Sequence, residues 1–214
     1  MNRKMVMMVA FCLGPYVYAG GDTVRVKISP TVESVEVRHG ENEVMIHRNQ
    51  DPDNTINPIY MKTSRDCPPF CVQPIVLAPG VVTIGELELL DYLGKIAEGD
   101  DSIIVIDSRT PDWVENGTIP GATNIPWTTL SPAAGADPFA IADTLERTFG
   151  AINLEGLWNY ANAKTLVLFC NGMWCGQSPT NIKTLLNFGY PAHKLKWYRG
   201  GMQAWEVLGL TVVR

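Results

Sequence analysis

The chain has 214 residues, 46% of them hydrophobic and 18% charged, with a formal net charge of −5. That composition supports one ordinary packed domain with an appendage. The acidic balance, without a basic cluster, argues against nucleic acid or an anionic membrane surface as a partner.

Residues 1–19 read as a secretory signal peptide. Arg3 and Lys4 make a basic start, residues 5–13 an apolar core, and Val17-Tyr18-Ala19 a small-residue cleavage pattern. The core is too short to cross a bilayer, so no membrane span is expected after cleavage. The expected location is periplasmic or secreted. Cys67, Cys71, Cys170 and Cys175 follow the leader. An oxidising compartment permits disulfides among them, with three connectivities open.

Residues 20–78 read as a small β-rich region. Residues 23–28, 34–38 and 43–47 alternate polar with apolar, and His39-Gly40-Glu41-Asn42 makes a hairpin turn between the last two. Residues 49–58 are a polar loop. In Cys67-Pro68-Pro69-Phe70-Cys71 two prolines stiffen a tight turn. The plain reading is a structural disulfide or two reduced thiols; the sharper one is a redox-active pair. A metal there would need further ligands such as His39 or His47, and no metal site is assigned.

From residue 79 onward helix and strand signals alternate. Thr83 as N-cap and Glu86 in the capping-box position open a helix with Leu87, Leu90 and Ile96 as its buried stripe. Residues 102–106 are apolar throughout, as in a strand covered on both faces, and run into Asp107-Ser108-Arg109. Residues 122–126 are a short extended piece. Residues 131–163 look inserted, with a helix at 137–149 marked by Ile141, Leu145 and Phe149 and a second helical piece at 154–161.

Residues 164–169 are a strand feeding a loop with two cysteines. Ser178 reads as the N-cap of the next helix, with Pro179 at its first position. That helix carries Ile182, Leu185, Leu186 and Phe188, and Gly189 closes it. Residues 195–198 are a last strand, ending in Arg199-Gly200-Gly201 before a short helix at 202–208. The alternation implies an α/β fold: a mostly parallel sheet with helices on both sides. Ligands bind such sheets beyond the C-terminal strand ends, where Cys170 falls. Loop amides and a helix N-terminus can hold a thiolate or an anion there.

Four pieces in this order resemble a single rhodanese domain over residues 79–214. They are Ile106-Asp107-Ser108-Arg109, then residues 117–126 (Gly-Thr-Ile-Pro-Gly-Ala-Thr-Asn-Ile-Pro), then Cys170 at a strand end, then residues 200–205 (Gly-Gly-Met-Gln-Ala-Trp). Residues 20–78 lie outside the resemblance. It implies a rhodanese-like fold and sulfane-sulfur transfer. A donor such as thiosulfate gives its outer sulfur to Cys170, and a thiophilic acceptor, a small molecule or a protein thiol, removes it. Asn171, Gly172, Met173, Trp174, Cys175, Gly176, Gln177 and Ser178 would form the substrate- and anion-binding loop. No cofactor and no metal is implied.

Some positions depart from the family. Thr118 stands where a histidine is usual, and no basic residue follows Cys170 before Lys183, which weakens the case for a dianionic donor. Cysteine phosphatases of related architecture need an arginine six positions after the cysteine; here that residue is Gly176. Cys175 reads either as a resolving thiol or as a packing residue, and Trp174 as a lid or a partner contact. Asp107 and Arg109 read as ties between loops rather than catalytic groups, and Arg199 as the candidate positive charge near substrate. His39, His47 and His193 read as surface or packing residues. Two other classes compete: a thiol–disulfide redox protein using Cys170/Cys175 or Cys67/Cys71, and a non-catalytic binding module.

Overall fold

The computed structural model describes residues 24–214, so the leader expected at 1–19 lies outside the described residues. The first elements are β1 (Ser34–His39) and β2 (Asn42–His47), an antiparallel pair with Val35 opposite Ile46 and Val37 opposite Val44. Gly40, at φ 60°, turns the chain between them, a conformation glycine adopts without strain. Val37 and Ile46 point to one face and are buried. Residues 24–28 alternate in the same way but form no strand. The Arg25 and Val26 N–H groups donate to the Gln50 side chain instead of to a neighbouring strand.

A helical turn at Pro58–Tyr60 follows, then a segment without regular structure through residue 78. Next come β3 (Val82–Ile84) and α1 (Glu86–Ala97). The helix begins two residues later than expected. Its N-cap is Gly85, whose N–H donates to Glu88 Oε2 at 3.0 Å, while Thr83 lies in β3 opposite Trp197. The buried stripe shifts accordingly to Leu89, Leu90 and Leu93, and Leu87 faces solvent.

The chain continues through β4 (Ile103–Asp107), α2 (Pro111–Val114), β5 (Thr123–Asn124), α3 (Trp127–Leu130) and α4 (Pro138–Asp143). A π-helical turn, Thr144–Thr148, extends α4, and Ile141, Leu145 and Phe149 are buried at the spacing read from sequence. Residues 154–161 are not helical. They belong to a hairpin of β6 (Ile152–Leu154) and β7 (Leu157–Asn159). Glu155 and Gly156, at φ 51° and 89°, make a two-residue turn that a right-handed helix cannot contain. The chain ends with β8 (Thr165–Phe169), α5 (Gln177–Asn187), β9 (Leu195–Tyr198) and α6 (Gly201–Val207).

The central sheet has the order β3-β9-β8-β4-β5 and is parallel throughout. Side chains of β8 alternate between its faces. Leu166 and Leu168 pack with Phe149, Ile182 and Leu185; Val167 and Phe169 pack with Leu89, Leu93 and Trp205, and with Val37 and Ile46 of the hairpin.

At the C-terminal end of β4 lies a fully buried ion pair. Arg109 Nε and Nη2 donate to Asp107 Oδ1 and Oδ2 at 2.9 and 2.6 Å. The remaining guanidinium donors meet Gly117 O, Trp113 O and the Tyr60 hydroxyl. Thr118 Oγ1 donates to Asp107 Oδ2 at 2.7 Å, so it completes the carboxylate's shell. Asp107 and Arg109 therefore tie loops together, and through Tyr60 they also fasten the N-terminal region.

Removing one member of such a pair leaves an uncompensated buried charge. Asp107→Ala is expected to lower unfolding free energy by about 3–5 kcal/mol. Urea unfolding checks it; a loss below about 1 kcal/mol would contradict the tie described here.

Candidate active site

Cys170 follows β8 directly and opens a loop at the C-terminal edge of the sheet. Two N–H groups at the start of α6 grip the loop from behind. Met202 N–H donates to Cys170 O at 3.0 Å and Gln203 N–H to Asn171 O at 2.9 Å. The approach requires Gly201, which has φ 56°; a Cβ there would sit 2.4 Å from Cys170 O and 2.8 Å from Gly172 N. Within the loop, Cys175 N–H donates to Gly172 O at 2.9 Å.

The N-cap of α5 is Gly176, not Ser178, and Pro179 sits at the third helical position, where a missing N–H costs no hydrogen bond. Ser178 is committed elsewhere. Its hydroxyl accepts from Trp197 Nε1 at 3.1 Å and lies 3.1 Å from Cys170 Sγ. An indole nitrogen only donates, so the Ser178 proton is directed at the sulfur.

Cys170 is 2% exposed. Burial pushes its thiol up, but hydrogen bonds from the Cys175 thiol, the Ser178 hydroxyl and the N–H groups of Ser178 and Gly172 outweigh it and bring the thiol down to about 7. The Cys175 thiol moves the opposite way. Its hydrogen bond to Cys170 raises it most, and burial adds to that. Cys170 is thus the thiolate of the pair and Cys175 the thiol that supports it.

The segment from 61 to 78 lies over the loop. Gln73 N–H donates to Met173 O at 2.8 Å, and Arg199 donates to Gln73 O at 2.8 Å through Nη2. Trp174 Nε1 donates to Gln203 Oε1, and Gln203 Nε2 to Tyr60 O. Phe70 meets Trp174 edge-on at 5.7 Å between ring centroids. The Arg65 guanidinium lies 4.3 Å from the Trp174 ring centroid and 5.2 Å from that of Phe70. Cys67 and Cys71, which flank Phe70 in the chain, are joined as a disulfide.

These contacts revise the reading of two charges. Arg199 donates to Gln73 O through Nε and Nη2, so it also holds the cover. The guanidinium stacked on the loop is that of Arg65, which no motif signalled because the fold alone brings residue 65 to residue 174. Beside the loop is a cavity of about 470 Å³, walled by Phe70, Trp113, Trp127 and Trp174, with Asn171 and Cys175 also lining it. Asn171 Oδ1 is buried there without a hydrogen-bond partner. A cavity of about 620 Å³ around Asn54, Glu206 and Arg214 touches no cysteine. Among the described residues, no cluster of His, Cys, Asp or Glu is arranged to hold a metal, and no helix is long and apolar enough to cross a membrane.

Residues 89–207 match the family profile of the Rhodanese-like domain, and the chain belongs to that family. No curated protein matches the chain. Among solved structures it is similar to the human single-domain sulfurtransferase TSTD1, at 24% identity over 57% of this chain and 93% of that one, with a TM-score of 0.38. It is also similar to a protein of unknown function from Rhodopseudomonas palustris, described as a possible tyrosine phosphatase, at 19% identity over 62% and 85% of the two chains, TM-score 0.40. A Bacillus halodurans protein matches at 20% identity over 58% and 70%, TM-score 0.40.

Alkylation by iodoacetamide reports the thiolate of Cys170. The rate is expected to rise through pH of about 7, because the thiol loses its proton there. Ser178→Ala removes one donor that favours the charged form, so its midpoint moves to higher pH and alkylation at neutral pH slows. An unchanged midpoint would remove Ser178 from this role.

Proposed function

We propose that the protein is a sulfurtransferase that carries sulfane sulfur as a persulfide on Cys170, in the periplasm or outside the cell. The observation that carries this reading is the Ser178 hydroxyl aimed at a buried Cys170 sulfur, with Trp197 fixing its direction. Membership of the rhodanese-like family supports it. The Cys170 thiolate attacks the outer sulfur of a donor; a bond forms between the two sulfurs, and the donor's own bond to that sulfur breaks. With thiosulfate, sulfite leaves with the electron pair. A thiophilic acceptor then attacks the terminal sulfur of the persulfide and restores the Cys170 thiolate.

The charge in this cycle stays anionic, and the loop meets it with hydrogen-bond donors rather than a cation. A phosphatase reading lacks its arginine, because Gly176 stands at that position. A second reading rests on the closeness of the two cysteines, with Cys170 Sγ 3.5 Å from Cys175 O. Two-electron oxidation by an external disulfide would join them, with loss of both thiol protons, in a redox cycle instead of a sulfur-transfer cycle.

Incubation with thiosulfate and cyanide tests the first reading through thiocyanate release and intact mass. The expected result is one added sulfur atom before cyanide and none after, with both signals abolished in Cys170→Ser. Absence of added sulfur with several donors, together with a disulfide between Cys170 and Cys175, would favour the redox reading.

A further inference from the structure

We propose that residues 61–78 are a redox-operated strap over Cys170, opened when a protein dithiol reduces the exposed Cys67–Cys71 disulfide. The inference concerns access to Cys170 and holds whether or not that thiolate carries sulfur.

The strap is anchored at both ends and lightly held between them. Tyr60 fixes one end through its hydrogen bonds with Arg109 and Gln203, and β3 in the central sheet fixes the other. No residue from 61 to 78 is buried, so the strap has no core of its own. Segments of that kind open locally at small cost in free energy. The ties to the loop are few. Gln73 N–H donates to Met173 O, Phe70 lies against Trp174, and the Arg65 guanidinium covers both rings. Arg199 and Thr83 hold the strap's carbonyls at Gln73 and Ile75.

The disulfide governs the aromatic tie. The turn that presents Phe70 is closed by the Cys67–Cys71 bond and by Phe70 N–H donating to Asp66 O at 3.0 Å. Without the cross-link that hydrogen bond alone restrains the turn, and holding Phe70 against Trp174 costs more conformational entropy. Cys67 is exposed and Cys71 half-buried, whereas Cys170 and Cys175 are both buried. A macromolecular reductant therefore reaches the first pair and not the second. The groups that favour the Cys170 thiolate belong to Gly172, Cys175 and Ser178, outside the strap. Opening thus changes what can reach the sulfur and leaves its donors in place. A small reagent enters through the cavity beside Cys175, while a bulky thiol needs the strap moved aside.

Reduction proceeds by exchange. A thiolate of the partner dithiol attacks Cys67 Sγ, the exposed half. The Cys67–Cys71 bond breaks, Cys71 leaves with the electron pair and takes a proton, and a mixed disulfide forms at Cys67. The partner's second thiol loses its proton and attacks the partner's sulfur in that mixed disulfide. Cys67 then leaves with the electron pair and is protonated in turn. Two electrons and two protons pass from the dithiol to the turn, and the partner ends as a disulfide.

Cys67→Ser combined with Cys71→Ser stands in for the opened turn, and the oxidised full-length mature protein is the reference. Alkylation of Cys170 is followed by peptide mass, well above the pH of about 7 at which its thiol titrates, so that the rate reads access and not ionisation. Two reagents are compared: iodoacetamide, and the same group on a long polyethylene glycol chain. The bulky reagent should modify the double variant about tenfold or more faster, the factor for an open form held at about 10% or less in the closed protein. Iodoacetamide should keep its rate. Equal rates of the bulky reagent in the two forms overturn the proposal, and so does an equal rise for both reagents, which marks general loosening. Phe70→Ala keeps the disulfide but removes the ring it positions, and should also speed the bulky reagent; an unchanged rate overturns the strap. A protein dithiol with a Cys-x-x-Cys pair should reduce Cys67–Cys71 in the folded wild-type protein, read by trapping both thiols and weighing the intact chain. A bond that stays closed under that treatment overturns the proposal. A strap that passes these tests in a protein that takes up no sulfur overturns only the sulfurtransferase reading.

Discussion

A buried thiolate must be stabilised by something, and among the described residues no cation hydrogen-bonds the sulfur; the buried Arg109 acts on it only through space. Burial alone would keep Cys170 protonated. The structure answers with donors whose directions are fixed before any ligand arrives. The loop carbonyls of Cys170 and Asn171 are taken by N–H groups of α6, and the Gly172 and Ser178 N–H groups favour the thiolate. Because the Ser178 oxygen accepts from Trp197, its proton points elsewhere, and the Cys170 sulfur is the partner within reach. Strands β8 and β9 and helices α5 and α6 each supply one part, and they converge only because the strands run parallel and end together.

The N-terminal region is built into the same framework. Tyr60 receives two ties: its hydroxyl accepts from Arg109 and its carbonyl from Gln203. Gln203 also holds Trp174, so one side chain connects the cover, the loop and α6. The cover thus rests on the ion pair at the end of β4 as much as on its own contacts. By excluding water it lowers the local dielectric, which strengthens each hydrogen bond to the sulfur and makes a missing one more costly.

The apolar strand at 102–106, the cysteine at a strand end and the helix with Ile182 and Leu185 were all legible in the sequence, because each is a local pattern with one physical cause. The rhodanese motifs were legible for the same reason. Capping was misread twice, at Thr83 and at Ser178, since a hydroxyl signals a cap only when nothing else claims it. Thr83 was claimed by a strand and Ser178 by the Cys170 sulfur. The hairpin at Ile152–Asn159 was read as helix because its short strands fit either period, and the deciding residues, Glu155 and Gly156, act through backbone angles. The role of Arg65, the use of Arg199 and the aromatic cavity depend on chain segments far apart in sequence, and no spacing encodes them.

Cys175 explains how the loop manages without a cation. Two thiols that share a hydrogen bond titrate as a pair, and the second proton is hard to remove once the first has gone. The pair therefore holds one negative charge, not two, across the pH range in which Cys170 is reactive. A phosphatase loop must bind a dianionic phosphoryl group and spends an arginine on it. Here the resident charge is single, and hydrogen-bond donors suffice for it. Gly176 at the position of that arginine fits the same economy of charge.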